Sequence, residues 1–368
     1  MLLRSHSGHP LTVVMSVYNG APFLDEAIDS IRTQSFRDFE FLIVDDGSSD
    51  DTPRILARHA LVDDRIRILT RENSGLIGSL NRAFEEATGA YIARMDADDV
   101  SRRYRLEMQM DFMSSNPGIA LVGGAVEVID TEGHQLDTIQ LPTRPDEIRT
   151  HMREAGCALA HPTVFLRRDT VLQMGGFRKA YKHAEDYDLW LRMLERFDFA
   201  NLQEVLLGYR RHDTSISYQQ ATQQILSAWC ARIVAKLRLE GLPDPTDEEE
   251  LITPAVLRSL GFTQETINEQ IFTELIGMTQ ESIRCGLCSA AAEFIRVAQP
   301  LTSPDCLKHA GLELNRKAAS TQASQEEKAK HRRALLHIAP DIYRELFAPS
   351  SLLKRLSRTK SALTARRG

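Results

Sequence analysis

The chain has 368 residues, of which 42% are hydrophobic and 26% charged, with a formal net charge of −6. That length favours one catalytic domain plus an accessory region, and the composition is too apolar for a disordered chain. The negative balance argues against a nucleic-acid partner, which requires a basic face; no apolar run approaches the ~18 residues that cross a bilayer and residues 1–10 lack a signal-peptide core, so a cytoplasmic protein is expected.

From residue 11 to about 100, short apolar runs alternate with helical patterns, the signature of β-α-β units and hence of an α/β fold. The runs at 11–17, 39–44, 65–69 and 90–95 have strand length and are rich in β-branched or aromatic residues, which predicts four parallel strands. Between them, Leu24, Ile28 and Ile31 follow Pro22 at helical spacing, a second crossover starts near Asp50 with Pro53 early, and a third carries Leu76, Leu80, Phe84 and Ala87 before Gly89. After residue 100 the pattern is mixed: a helix from about Ser101, apolar runs at 119–129, 163–166 and 205–207, and a turn at 131–134. From about residue 218 it is nearly all helical, with prolines at 243, 245, 254, 300 and 304 as punctuation. The predicted division is therefore a catalytic domain over 1–217 and a helical accessory domain over 218–368. Five cysteines form no disulfide framework, and Cys285-x-x-Cys288 lacks the second pair that a zinc site needs.

In an open parallel sheet, ligands bind beyond the carboxyl ends of the strands. Those ends are polar here: Ser16-Val17-Tyr18-Asn19-Gly20, Asp45-Asp46-Gly47-Ser48, Arg71-Glu72-Asn73 and Asp96-Ala97-Asp98-Asp99. Asp96 and Asp98 can present oxygens to one hard cation, which would also take phosphate oxygens, whereas Asp99 is equally suited to cap the following helix. An acid in the second loop can accept from a base N–H while Tyr18 offers a ring for stacking, although Asp-Gly-Ser alone also reads as a turn. Asn73-Ser74-Gly75 opens the third helix, where backbone N–H groups favour an anion such as diphosphate, and Arg71 adds charge; a plain helix cap is the alternative for Asn73.

Further on, Ala184-Glu185-Asp186-Tyr187-Asp188-Leu189-Trp190 opens a helix whose apolar face includes Leu189, Trp190, Met193, Leu194 and Phe197. Asp186 lies one turn before Trp190 and so points inward, a placement that suits a general base, although an acid at a helix N-terminus can also serve only to offset the helix dipole. Asp188, four residues before Arg192, reads as a surface pair. Tyr209-Arg210-Arg211-His212 closes the last run with side chains that suit diphosphate and metal, or form a solvated basic turn. His161 fits a structural histidine as well as an acceptor ligand.

Val-Val-Met-Ser-Val-Tyr-Asn-Gly, Asp-Asp-Gly-Ser-Ser-Asp, Asn-Ser-Gly-Leu, Asp-Ala-Asp-Asp, Gly-Gly-Phe, Glu-Asp-Tyr-Asp-Leu-Trp and Tyr-Arg-Arg-His, in this order over residues 11–217, resemble the inverting family 2 glycosyltransferases of the GT-A fold. The resemblance implies a nucleotide-diphosphate sugar as donor, with UDP the expected nucleotide and dTDP or GDP left open. It implies that Asp46 contacts the base, Asp96 lies near the ribose, Asp98 holds Mn²⁺ or Mg²⁺, and Asp186 is the catalytic base. Ser16, Tyr18, Arg71, Asn73 and Arg210 complete the expected donor site, with His212 as a second metal ligand. The run from His161 to Arg168 is similar to bacterial members that build surface polysaccharides on carbohydrate or polyprenyl-linked saccharide acceptors. Neither a Q-x-x-R-W motif nor transmembrane helices accompany it, which argues against repeated polymerisation.

Two other readings are weaker. A nucleotidyltransferase should carry a Gly-rich basic loop after strand one, where this chain has Tyr-Asn-Gly-Ala-Pro-Phe-Leu-Asp-Glu, and a non-catalytic binding or scaffold protein would not need both Asp98 and Asp186. The acid-free segment from Leu352 to Lys360 suggests peripheral contact with anionic lipid or a solvated tail, and apolar faces on the extra helices could pair two chains.

Overall fold

The computed structural model describes residues 8–211, 220–284 and 288–301. Its sheet begins with β1 (Leu11–Val17), β2 (Phe39–Asp45), β3 (Ile66–Thr70) and β4 (Tyr91–Asp96), which lie in the order β3-β2-β1-β4 and are all parallel, as their apolar runs predicted. The crossovers are α1 (Ala21–Arg32), α2 (Thr52–Ala60) and α3 (Gly75–Glu86). Pro22 and Pro53 sit in first turns, where proline's missing N–H has no partner to lose. Leu24, Ala27, Ile28 and Ile31 of α1 are buried in one cluster with Val13, Met15, Phe39, Phe41 and Ile43 of the strands, and Leu80, Ala83 and Phe84 of α3 are buried as well. Each large apolar side chain removed from water this way contributes roughly 1.5–3 kcal/mol.

Beyond β4 the sheet continues as β8 (Phe165–Arg167), β6 (Ile119–Ile129), β9 (Asp198–Arg210) and a two-residue strand β5 (Val100–Ser101), with β7 (Gln135–Ile139) paired to β6. β8 runs antiparallel to both β4 and β6, whereas β6 and β9 are parallel. Residues 131–134 make the expected β6–β7 turn, where Asp130 Oδ1 accepts from the backbone N–H groups of Glu132 and His134. The helix expected from Ser101 begins instead at Arg105 (α4, Arg105–Ser115). Ser101 is held in the sheet by Leu207, and the Arg102 N–H donates to the Leu206 carbonyl at 2.9 Å. α5 (Pro145–Glu154), α6 (Arg168–Gln173) and α7 (Glu185–Met193) complete the elements around the site.

The contacts divide the described chain elsewhere than at residue 217: residues 223–260 group with residues 8–211. Most of the helix Ala221–Leu239 and the chain to Leu260 therefore belong to the sheet-bearing unit. Ser227 Oγ donates to the Lys182 carbonyl, the Ile252 N–H to the Ala180 carbonyl, and Tyr181 Oη lies 2.7 Å from Thr246 Oγ1. In the second unit, helices Gln264–Arg284 and Cys288–Ala298 pack on one another and bury Ile267, Ile271, Leu275 and Phe294. No helix among the described residues is long and apolar enough to cross a membrane. The Cys-x-x-Cys pair, the cationic segment from Leu352 to Lys360 and the C-terminal tail lie outside the described backbone or side chains.

Candidate active site

The carboxyl ends of the parallel strands meet as predicted. Ser16 is in register with Asp96 on one side and Val44 on the other, and Tyr18, 54% exposed, stands just beyond β1. Asn19, in the left-handed region at φ 52°, ties this loop to the next: its Oδ1 accepts from the N–H groups of Ser49 and Asp50, while its own N–H donates to Ser48 Oγ. Asparagine tolerates that backbone conformation better than most residues.

Asp46 is only 2% exposed and is committed to α3. Its Oδ1 accepts from the Ser74 N–H at 3.0 Å, Ser74 Oγ at 3.1 Å and Ser79 Oγ at 2.7 Å; its Oδ2 accepts from the Gly75 N–H at 2.8 Å. The start of the third helix, expected to receive a diphosphate, is thus already covered by an acid from β2. Two of its free N–H groups are satisfied within the protein. Arg71 donates to the Gly78 carbonyl and approaches Asp46 at 3.9 Å; Asn73 is exposed in the preceding loop, and Ser74 takes the N-cap position.

Asp96, Asp98 and Asp99 each place a carboxylate oxygen within 4.8 Å of the others. Asp99 does not cap α4. It is buried, its Oδ1 accepts the Arg210 N–H at 2.8 Å, and its Oδ2 has no hydrogen-bond partner among the described residues. Burial, followed by the charges of Asp96 and Asp98, holds the Asp99 carboxyl well above the usual carboxylate range. Asp96 is also raised, again by burial first, although Arg94 opposes this. Three crowded carboxyls with one buried orphan oxygen fit a hard divalent cation, whose charge would offset both burial and mutual repulsion.

Arg210 corrects an expectation. Its guanidinium donates from Nε to the Asp98 carbonyl, from Nη1 to the carbonyls of Asp130 and Thr131, and from Nη2 to Glu26 Oε2 at 2.6 Å. It also lies over the Phe23 ring at 4.9 Å and is 2% exposed. With those donors engaged and the side chain buried, Arg210 clamps the acidic loop and is not presented to a diphosphate. His212 lies outside the described residues.

Asp186 occupies the first turn of α7, which is fastened by Tyr187 donating to the Met152 carbonyl. Its Oδ1 accepts the Tyr187 N–H at 2.7 Å and its Oδ2 lies 3.5 Å from His161 Nδ1. Burial pushes the Asp186 carboxyl up to about 6, with the Tyr187 N–H and Arg94 opposing and Asp96 adding to the rise. Its neighbour Glu185 is pushed to about 7 by burial and by the Asp186 charge. Asp188 is no surface residue: it is buried and paired with both Arg178 and Arg192, and Arg192 also holds the carbonyls of Met174 and Gly176. The Gly-Gly-Phe loop is further clipped to α3 by paired hydrogen bonds between Asn81 and the Phe177 backbone, with Gly175 and Gly176 both at positive φ.

The residue that sequence reading missed is Arg94. It is 2% exposed in the centre of β4, forms an ion pair with Asp96, and its charge also acts on Asp186 and Glu185. A cation inside an otherwise apolar buried strand was its signal, because such a residue is rare unless paired.

The sequence matches Glycosyl transferase family 2 over residues 12–175. It is 35% identical over 228 residues to EpsE of Bacillus subtilis, named as a glycosyltransferase, covering 61% of this chain and 81% of that protein. It is also 35% identical over 211 residues to the O-antigen biosynthesis glycosyltransferase WbnJ of Escherichia coli, covering 56% and 81%. Among solved structures, the fold is similar to the mannosyltransferase PcManGT of Pyrobaculum calidifontis in complex with GDP-Man and Mn²⁺, with TM-score 0.50, 17% identity and coverage of 93% and 88%. It is likewise similar to S. aureus TarS 1-349 in complex with UDP-GlcNAc, with TM-score 0.52, 16% identity and coverage of 92% and 93%. Strand-end acids, an inward carboxylate on α7, the GT-A sheet and these relatives agree: the chain belongs to the family 2 glycosyltransferases.

Proposed function

We propose that this glycosyltransferase is metal-dependent and inverting, and that it moves one sugar from a UDP-sugar to a hydroxyl of a carbohydrate or polyprenyl-linked saccharide in bacterial surface-polysaccharide synthesis. The observation that carries the reading is the placement of Asp186: a half-buried carboxyl with a raised pKa, within electrostatic reach of Asp96 through Arg94. The O-antigen role in the name of WbnJ supports the polysaccharide context, and the TarS complex supports a UDP donor.

In this reading Tyr18 stacks on the base beside the loop that Asp46 pins to α3, and Ser16 and Asp96 border the ribose. Arg71 and Asn73 flank the same opening. Asp98, with Asp96 and Asp99 beside it, would hold Mn²⁺ or Mg²⁺, which supplies positive charge against the departing diphosphate. Asp186 takes the proton of the acceptor hydroxyl as that oxygen bonds to the anomeric carbon. The bond from this carbon to the diphosphate oxygen breaks with its electron pair, nucleoside diphosphate leaves, and the single displacement inverts the centre.

Asp186→Asn is expected to bind donor normally and to lose at least about 100-fold in kcat, within the range that general-base catalysis contributes. Asp98→Ala is expected to lose the Mn²⁺-dependent rise in melting temperature with a UDP-sugar, because a donor that binds only the folded state must stabilise it. Wild-type turnover by Asp186→Asn would falsify the assigned base.

A further inference from the structure

The wall behind Asp186 contains polar atoms that the reading above leaves unused. His161 opens a short 3-10 turn (His161–Thr163), and its ring meets Phe177 edge-on at 5.8 Å and Trp190 at 6.1 Å. Pro162 and the Val164 N–H bond to the His161 carbonyl fix that turn. One ring nitrogen, Nδ1, lies 3.5 Å from Asp186 Oδ2; the other, Nε2, is buried with no hydrogen-bond partner among the described residues.

Two buried donors near this ring are likewise without acceptors among the described residues: Trp190 Nε1–H and Arg94 Nε–H. A neutral imidazole carries one N–H and one lone pair, and the hydrogen bond at one nitrogen sets the state of the other. A lone pair at Nδ1 would face a carboxylate oxygen, lone pair against charge, and an N–H at Nε2 would add a third orphan donor to the wall. A proton on Nδ1 removes both conflicts.

We propose that His161 is a positioning residue for the general base: with its proton on Nδ1 it holds Asp186 Oδ2, while the Tyr187 N–H holds Oδ1, so that the carboxylate keeps one orientation toward the acceptor hydroxyl. This rests on the assignment of Asp186 as base. The charged and titratable groups acting on Asp186 are Glu185 on its own helix, Arg94 and Asp96 on β4, Cys157 in the loop after α5, and His161 itself.

The tautomer is read without donor by long-range ¹H–¹⁵N NMR of the full chain, with the His161 signal identified by its loss in His161→Asn. A protonated Nδ1 and bare Nε2 are expected; a protonated Nε2 overturns the proposal. In UDP-release assays His161→Ala should lose roughly 10- to 100-fold in kcat with donor KM within about twofold, a share of what the base contributes. The acid limb of its pH profile should move to higher pH, since a donor to a carboxylate favours its ionised form. His161→Asn places an amide N–H where Nδ1–H stood and should recover most of the rate. His161→Gln, whose N–H falls at the Nε2 place, should not, and this pair decides the matter if the alanine variant fails to fold. Equal rates in the Asn and Gln variants, or an unmoved acid limb in a folded His161→Ala, overturn the proposal. If Asp186→Asn stays active, the base assignment falls instead; if it is dead while His161→Ala is unaffected, only the positioning role falls.

Discussion

Burial does most of the chemical tuning in this site. Asp186 is raised to about 6 chiefly because its charge is desolvated, and only partly restrained by Arg94 and the Tyr187 N–H. A general base works as the carboxylate, so turnover should fall as pH drops through about 6 and be independent of pH above about 7, which a pH profile of kcat checks. Arg94 shows why a residue can be visible in the sequence and still unread. Its charge in the middle of β4 was anomalous, but its role depends on α7, about ninety positions later, lying near it. Arg210 shows the reverse. Its chemistry suited diphosphate, and only its backbone carbonyl partners and Glu26, all distant in sequence, show that it is a clamp.

At the scale of elements, the loops at the strand ends are tied to one another more than to their own helices. Asp46 leaves β2 to cover the start of α3, so Asp46→Ala strands the N–H groups of Ser74 and Gly75 and the Ser79 hydroxyl. A loss of about 1–3 kcal/mol is expected, read as a lower urea midpoint. Gly176 sits at φ 71°, and a Cβ there would come 2.5 Å from Asn81 Oδ1. Gly176→Ala therefore combines backbone strain with loss of the Asn81 clip, and should lower stability by roughly 1–3 kcal/mol, measurable as a lower melting temperature. The strands, by contrast, were legible because burial on both faces demands unbroken apolar runs. The two-residue β5 carries too little pattern of its own and exists through its pairing with β9.

For the whole molecule, the boundary expected at residue 217 cuts through contacts that the sheet-bearing unit uses. Arg178 links Asp188 of α7 to Asp244 and Asp247, Arg238 links Asp244 to Glu195, and Ile252 pairs with the backbone of Ala180. Against its burial, the Thr246 hydrogen bonds and then the charge of Arg178 hold the Asp244 carboxyl down at about 2. A chain ending at residue 217 should leave Arg178 without Asp244 and Asp247 and Glu195 without Arg238, and so melt lower, or aggregate more, than one ending at residue 260; thermal unfolding of the two checks this. The helical pattern after residue 218 agrees with the helices among the described residues and was uninformative about grouping. Amphipathic periodicity shows that a face is buried but not against what.

The sequence by itself determined the parallel sheet, its crossovers, the acidic strand ends and the family, because these depend on local periodicity and on residues a few positions apart. Tertiary structure decided which of those polar residues are already engaged by the protein itself: Asp46 by a helix start, Arg210 by carbonyls, Asp188 by two arginines. A hydrogen-bond donor or acceptor has a fixed capacity, and whether it is already filled depends on partners that chain folding brings from far away.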